Sequence, residues 1–221
     1  MQSNTAALFT SGPLAHLLDL ALRVQSSGGA LSLDDEVRRY VRVTGTPGAG
    51  GAECPARAGA ALLDLVGDLL ADGAPVTVPG EFRQKLARAA EGTGEAEYLH
   101  TLAGIVRVLD GGPPAEYDEL PMNGWEAGEV FPHLCGFTVH LTDDLESATF
   151  ADAVRSHLAA EHPFCGQSVA PLAAEAQRAL VLFPDGSSQR ENLLSTIPWV
   201  SPDALRELLR TVDEHLLGEH A

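Results

Sequence analysis

The sequence predicts an all-α protein, a compact bundle of about eight to nine helices with a few extended residues. Alanine and leucine fill most apolar positions while aromatic residues make up only 5%, a composition suited to helices that pack closely through small side chains. Segment after segment repeats its apolar residues with helical period. Serine, threonine and proline stand where those segments begin, and glycine stands where several end.

With 221 residues, of which 45% are apolar, the chain is long enough to bury a sizeable core. We expect one helical domain over 1–221, with a sub-boundary at 111–124 as the alternative division. That stretch, GGPPAEYDELPMNG, is irregular in composition, and its acids flank Tyr117 as a solvated loop or a flap would.

Taken in order, Ser11 and Pro13 predict a helix to about Ser26, with Leu14, Leu17, Leu18 and Ala21 inward and His16 pointing to solvent. Ser32 with Asp35 resembles a capping box for a helix ending at Gly45. Thr44 to Pro55 is rich in glycine and proline and reads as a surface loop, with Cys54 incidental in it. Ala56 to Asp72 is a broadly apolar, central helix. The segment APVTVPG reads as extended, followed by a short helix from Glu81 to about Glu91. Thr93 then caps a helix whose stripe is Tyr98, Leu102, Ile105, Val106 and Leu109, leaving His100 exposed.

In the second half, Thr142 to Glu146 places acids at a helix start, Thr149 with Asp152 restarts or continues that helix, and Pro163 ends it. Ser168 caps a helix to about Phe183, and Ser188 with Glu191 begins a short one through Ile197. The last helix has the clearest signals: Ser201 as N-cap, Pro202 at the first position, and Leu205, Leu208, Leu209, Val212 and Leu216 inward. His215 lies at the margin of that face as a structural histidine, and His220 belongs to the tail.

A formal charge of −17, from 31 acids against 14 bases, repels phosphate backbones and anionic lipid surfaces. Nucleic acid and membrane are therefore not expected as partners. Neither a basic leader nor an apolar run of membrane-spanning length is present, which gives a cytoplasmic expectation. The three cysteines form no CxxC pair and read as reduced thiols.

Gly124 to Gly166 holds four of the eight histidines and two of the three cysteines, and the candidate chemistry lies there. On the helix before Pro163, His157 and Glu161 occupy the inward face at i and i+4, where they can touch. The pair either closes a helix contact or serves as an oriented base or ligand set. If 130–141 is helical, His133, Phe137, His140 and Asp144 share one face; if it is a strand, His140 shares a face with Thr138. Either way His140, His157 and Glu161 make the two-histidine, one-carboxylate set suited to Zn or Fe(II), with His133 and Asp144 as helpers. His157 to His162, HLAAEH, matches neither HExxH nor HxxEH, which argues against a zinc peptidase.

The functional expectation is an enzyme acting on a small molecule or peptide, by metal assistance or general acid and base chemistry at His140, His157 and Glu161. The alternative is a non-catalytic accessory protein whose acidic helical surface docks a basic protein or peptide.

Overall fold

The computed structural model describes residues 4–46, 54–73, 78–143 and 149–220. It is all-α, about 74% helical with no strand among the described residues. Twelve helices appear there, more than the eight to nine expected, with short ones such as Asn4–Thr10 and Gly124–Val130 in segments that carry no long apolar period. The chain falls into two compact units that divide between Ala115 and Glu116. The extended reading of APVTVPG and most of the glycine-rich loop lie on or beside 74–77 and 47–53, outside the described residues.

The first unit holds α1 (Asn4–Thr10), α2 (Pro13–Ser26), α3 (Leu33–Gly45), α4 (Ala56–Ala71), α5 (Gly80–Ala89) and α6 (Glu95–Asp110). Leu14, Leu17, Leu18 and Leu20 of α2 are buried, together with Val37, Leu63, Phe82, Leu86, Leu99 and Val106 from the helices around it. Phe9 meets the Phe82 ring edge-on at 4.9 Å, which seats α1 on the unit. Ser32 caps α3 as expected, whereas Gly12 and Gly94 replace Ser11 and Thr93 as the first residues of their helices' caps.

Two histidines of this unit differ from the expectation of exposure. His16 is half-buried with its ring edge-on to Tyr40 at 5.4 Å. The buried stripe of α6 runs through Leu99, Leu102, Ala103 and Val106 and so turns toward His100. Gly67 of α4 has no side chain there, and a Cβ on it would meet the His100 ring at 2.8 Å. In that gap His100 Nδ1 lies 3.2 Å from Asp64 and Nε2 3.5 Å from Asp68. The imidazole thus bridges two turns of α4, and a Cβ at 67 would force the ring to shift.

The second unit holds α7 (Gly124–Val130), α8 (Pro132–Asp143), α9 (Phe150–Glu161), α10 (Cys165–Leu182), α11 (Gly186–Asn192) and α12 (Pro202–Glu219). The stretch left open between helix and strand is therefore helical. Thr142 and Asp143 end α8 instead of opening α9, whose N-cap is Thr149, accepting the Asp152 N–H at 3.1 Å. Asp185, not Ser188, caps α11, accepting from the Ser187 and Ser188 N–H groups at 2.8 and 2.9 Å. Ser201 and Pro202 start α12 as the sequence indicates.

Helix α10 packs against α8, α9 and α12, with Val169, Ala176 and Ala179 fully buried at the close contacts. Its Glu175 carboxylate reaches the start of α8, where it accepts from the N–H groups of His133 at 2.8 Å and Leu134 at 2.9 Å. Helix α8 begins with Pro132, and Glu175 satisfies donors that no preceding polar side chain reaches. Replacement of Glu175 by Ala should destabilise the second unit by about 2 kcal/mol, since two charge-assisted bonds are lost from a nearly buried group. Urea unfolding followed by tryptophan fluorescence measures it, both tryptophans lying in that unit; a variant as stable as the parent would contradict the capping role.

Candidate functional site

Packing of α9 on the second unit brings together two of the residues singled out in the sequence. The His140 and His157 ring centroids are 4.8 Å apart. Phe137 stacks on His140 at 5.7 Å and 23° and stands edge-on to His157 at 5.2 Å. Phe150 and Trp199 close the aromatic wall, and the indole N–H of Trp199 donates to Thr138 Oγ1 at 3.0 Å. His140 Nε2 is buried there without a hydrogen-bond partner.

The remaining members of the expected set stand apart. No hydrogen bond or ion pair joins His157 to Glu161 among the described residues, so Glu161 acts on the imidazole only through its charge. His133 is exposed and turned to Glu175, with Nδ1 2.5 Å from the carboxylate. Asp144 lies outside the described residues. Cys135, near the same carboxylate, has its thiol pushed up to about 11, by burial first and by Glu175 second.

Burial holds the His157 pKa below its ordinary 6.5; the neighbouring His140 lowers it further, and Glu161 opposes both. A lowered imidazole pKa means that the unfolded chain takes up its proton first as pH falls. Stability is then lost from about pH 6.5 downward through the folded-state value, and is unaffected by this group above that range. His157→Gln should flatten this part of the curve of melting temperature against pH. An unchanged acid slope in the variant would show that the imidazole environment contributes nothing to it.

A second cluster lies just past the C-terminal end of α9. His162 follows the last residue of that helix in an extended conformation, and Pro163 then turns the chain into α10. Cys165 is the first residue of α10 and fully buried; His215 is on α12, half-buried; His220 follows the end of α12 and is exposed. One donor atom from each lies within 4.8 Å of all the others. Cys165 Sγ is 3.2 Å from His215 Nε2. The three imidazole centroids are 5.0 to 5.8 Å apart.

A zinc ion bound tetrahedrally by sulfur at about 2.3 Å and nitrogen at about 2.0 Å separates its ligand atoms by roughly 3.3 to 3.6 Å. The Cys165–His215 separation of 3.2 Å is of that order and the other donor atoms lie within 4.8 Å, so the group could hold a metal ion. An open cleft of about 540 Å³ between α9 and α12 is lined by His162 and His215, with Leu158 and Ala159 among its apolar walls and Arg155, Glu214 and Glu219 at its polar ones.

Sequence reasoning passed over all four of these residues. His162 was judged by the helical period of α9, although it lies beyond the helix end. The available signal was spacing: His162-x2-Cys165 and His215-x4-His220 fall within the intervals typical of zinc ligand pairs. No protein-family model, curated protein or solved structure matches the chain.

Proposed function

We propose that the second unit is a metal-binding domain holding a zinc-class divalent ion through His162, Cys165, His215 and His220, and that the adjoining cleft takes a small molecule or peptide for metal-assisted chemistry. The observation that carries this reading is four donor atoms, from two separate parts of the chain, within 4.8 Å of one another. Three imidazoles and a thiolate favour a borderline-soft transition ion and disfavour magnesium or calcium, which take oxygen ligands. Binding would require the Cys165 thiolate and neutral imidazoles, and would cross-link the α9–α10 turn to the end of α12.

The pair of His140 and His157 is a less complete centre, because it supplies two donors in an aromatic wall and no carboxylate is hydrogen-bonded to either. A nitrogen held neutral by burial remains a competent proton acceptor, so general base chemistry at His157 is the second reading.

Untagged full-length protein, stripped of metal and titrated with Zn(II), should bind one equivalent and gain thermal stability. With Co(II) it should show a thiolate-to-metal charge-transfer band. Cys165→Ser should remove the band, and His215→Ala should weaken binding by about a hundredfold or more. If the parent binds no ion and its melting temperature ignores zinc, the reading fails. Retained binding in both variants would place the ion elsewhere.

A further inference from the structure

Helix α12 is held unevenly along its length. Its buried residues, Leu205, Leu208, Thr211 and Val212, all lie before Asp213. From Asp213 to Glu219 no residue is buried: Leu216 is half-buried, and Leu217 is 75% exposed. Propensity and charge do not compensate. Gly218 lies within this stretch, the last turn contains no base, and Glu219 puts a carboxylate where the helix dipole is already negative. Glu214 is held by Arg210 at 2.5 Å, whereas Asp213 and Glu219 have no ion pair among the described residues. Yet two of the four donors belong to this weak stretch, His215 within it and His220 directly after it. The other two sit on better-held chain, since Leu158 is buried four residues before His162, and Cys165 and Val169 are buried at the start of α10.

On the metal reading above, we propose that 213–220 is a metal-dependent latch. The last two turns of α12 fray in the metal-free protein and become fixed helix when the ion joins His215 and His220 to His162 and Cys165. A helix end with few buried contacts opens locally at small free-energy cost, and binding that requires the closed form draws the equilibrium toward it. The ion's own charge acts in the same direction. A divalent ion with one thiolate and three neutral imidazoles keeps one positive charge, and His162 and His220 place it at the C-terminal ends of both α9 and α12. A cation is favourable at each of those ends, and it offsets the carboxylate of Glu219.

The latch also governs the cleft. Its α9 side is Arg155, Leu158, Ala159 and His162, and its α12 side is Thr211, Glu214, His215 and Glu219. All of the α12 side except Thr211 belongs to the stretch that frays. The cleft therefore loses one wall without the ion and regains it with the ion, so a small molecule or peptide binds there only after the metal. The ion is an activator that assembles the cleft as well as a participant in it.

Amide hydrogen exchange of the full chain, metal-stripped and then with one equivalent of Zn(II), tests the latch. The expected result is that amides of 213–219 exchange at least about tenfold more slowly with zinc, while those of 205–212 change little. Gly218→Ala gives an independent readout, because a Cβ there meets nothing within 4 Å and no donor is altered. Higher helix propensity raises the closed fraction before metal arrives. The variant should therefore protect 213–219 without zinc and bind zinc roughly threefold to fivefold more tightly than the parent. If the parent binds one equivalent but 213–219 is as protected before as after, or if Gly218→Ala leaves the affinity unchanged, the centre stands and the latch is overturned. A parent that binds no zinc overturns the centre and the latch with it.

Discussion

The reach of Glu175 from α10 to the start of α8 is the interaction on which the geometry of the second unit depends. Helix α8 opens on a proline, carries an exposed glycine at 136, and has no side-chain cap of its own. Glycine in a helix interior is destabilising by about 1 kcal/mol relative to alanine, so α8 is weak by propensity. A carboxylate on its first N–H groups offsets that weakness through the helix dipole and two short hydrogen bonds. With α8 fixed, Phe137 and His140 take their places one turn apart, and the aromatic wall can close on His157.

The same helix α10 ties that wall to the four-donor cluster. Cys165 stands at its first position and Glu175 ten residues further on, with Pro171 between them, so the sulfur and the cap lie on one helix. Helix α9 repeats the link, with His157 within it and His162 just past its end. A zinc-class ion at His162, Cys165, His215 and His220 would therefore restrain the two elements that carry Glu175 and His157. On the proposed metal reading, binding at the four donors would act on the histidine pair through the helices they share, with no direct contact needed between the two groups of residues.

The all-α class was legible because alanine- and leucine-rich periodic segments leave few alternatives, and α12 was legible in detail because Ser201, Pro202 and the buried Leu205, Leu208 and Val212 agree, with Leu209 and Leu216 only half-buried. The inward placement of His157 follows from period alone; its proximity to α8 is a tertiary contact. What period could not supply was tertiary. His100 was placed in solvent because its own helix face gave no sign of the gap at Gly67 on another helix. The Glu175 cap was invisible because its acceptor and donors are 41 and 42 residues apart. Read one by one, His162 is part of an unmatched peptidase spacing, Cys165 a reduced thiol, His215 a structural histidine at a helix margin and His220 a tail residue. Paired spacing, His-x2-Cys with His-x4-His, was the one local trace of their convergence.

Composition bears on whether that convergence is accidental. The chain has 31 acidic residues against eight histidines and three cysteines. A chance gathering of titratable side chains on such a surface would be dominated by carboxylates, yet the four-donor group contains none. Carboxylates would have selected hard cations and, in an acidic protein, bound them weakly and without discrimination. Three imidazoles around one buried sulfur discriminate against calcium and magnesium even where the surrounding field is strongly negative, because the field raises the local concentration of every cation while the donors decide which is retained. On the proposed reading, acidity and donor set would act at different stages, the first gathering cations of all kinds and the second keeping the borderline-soft ones.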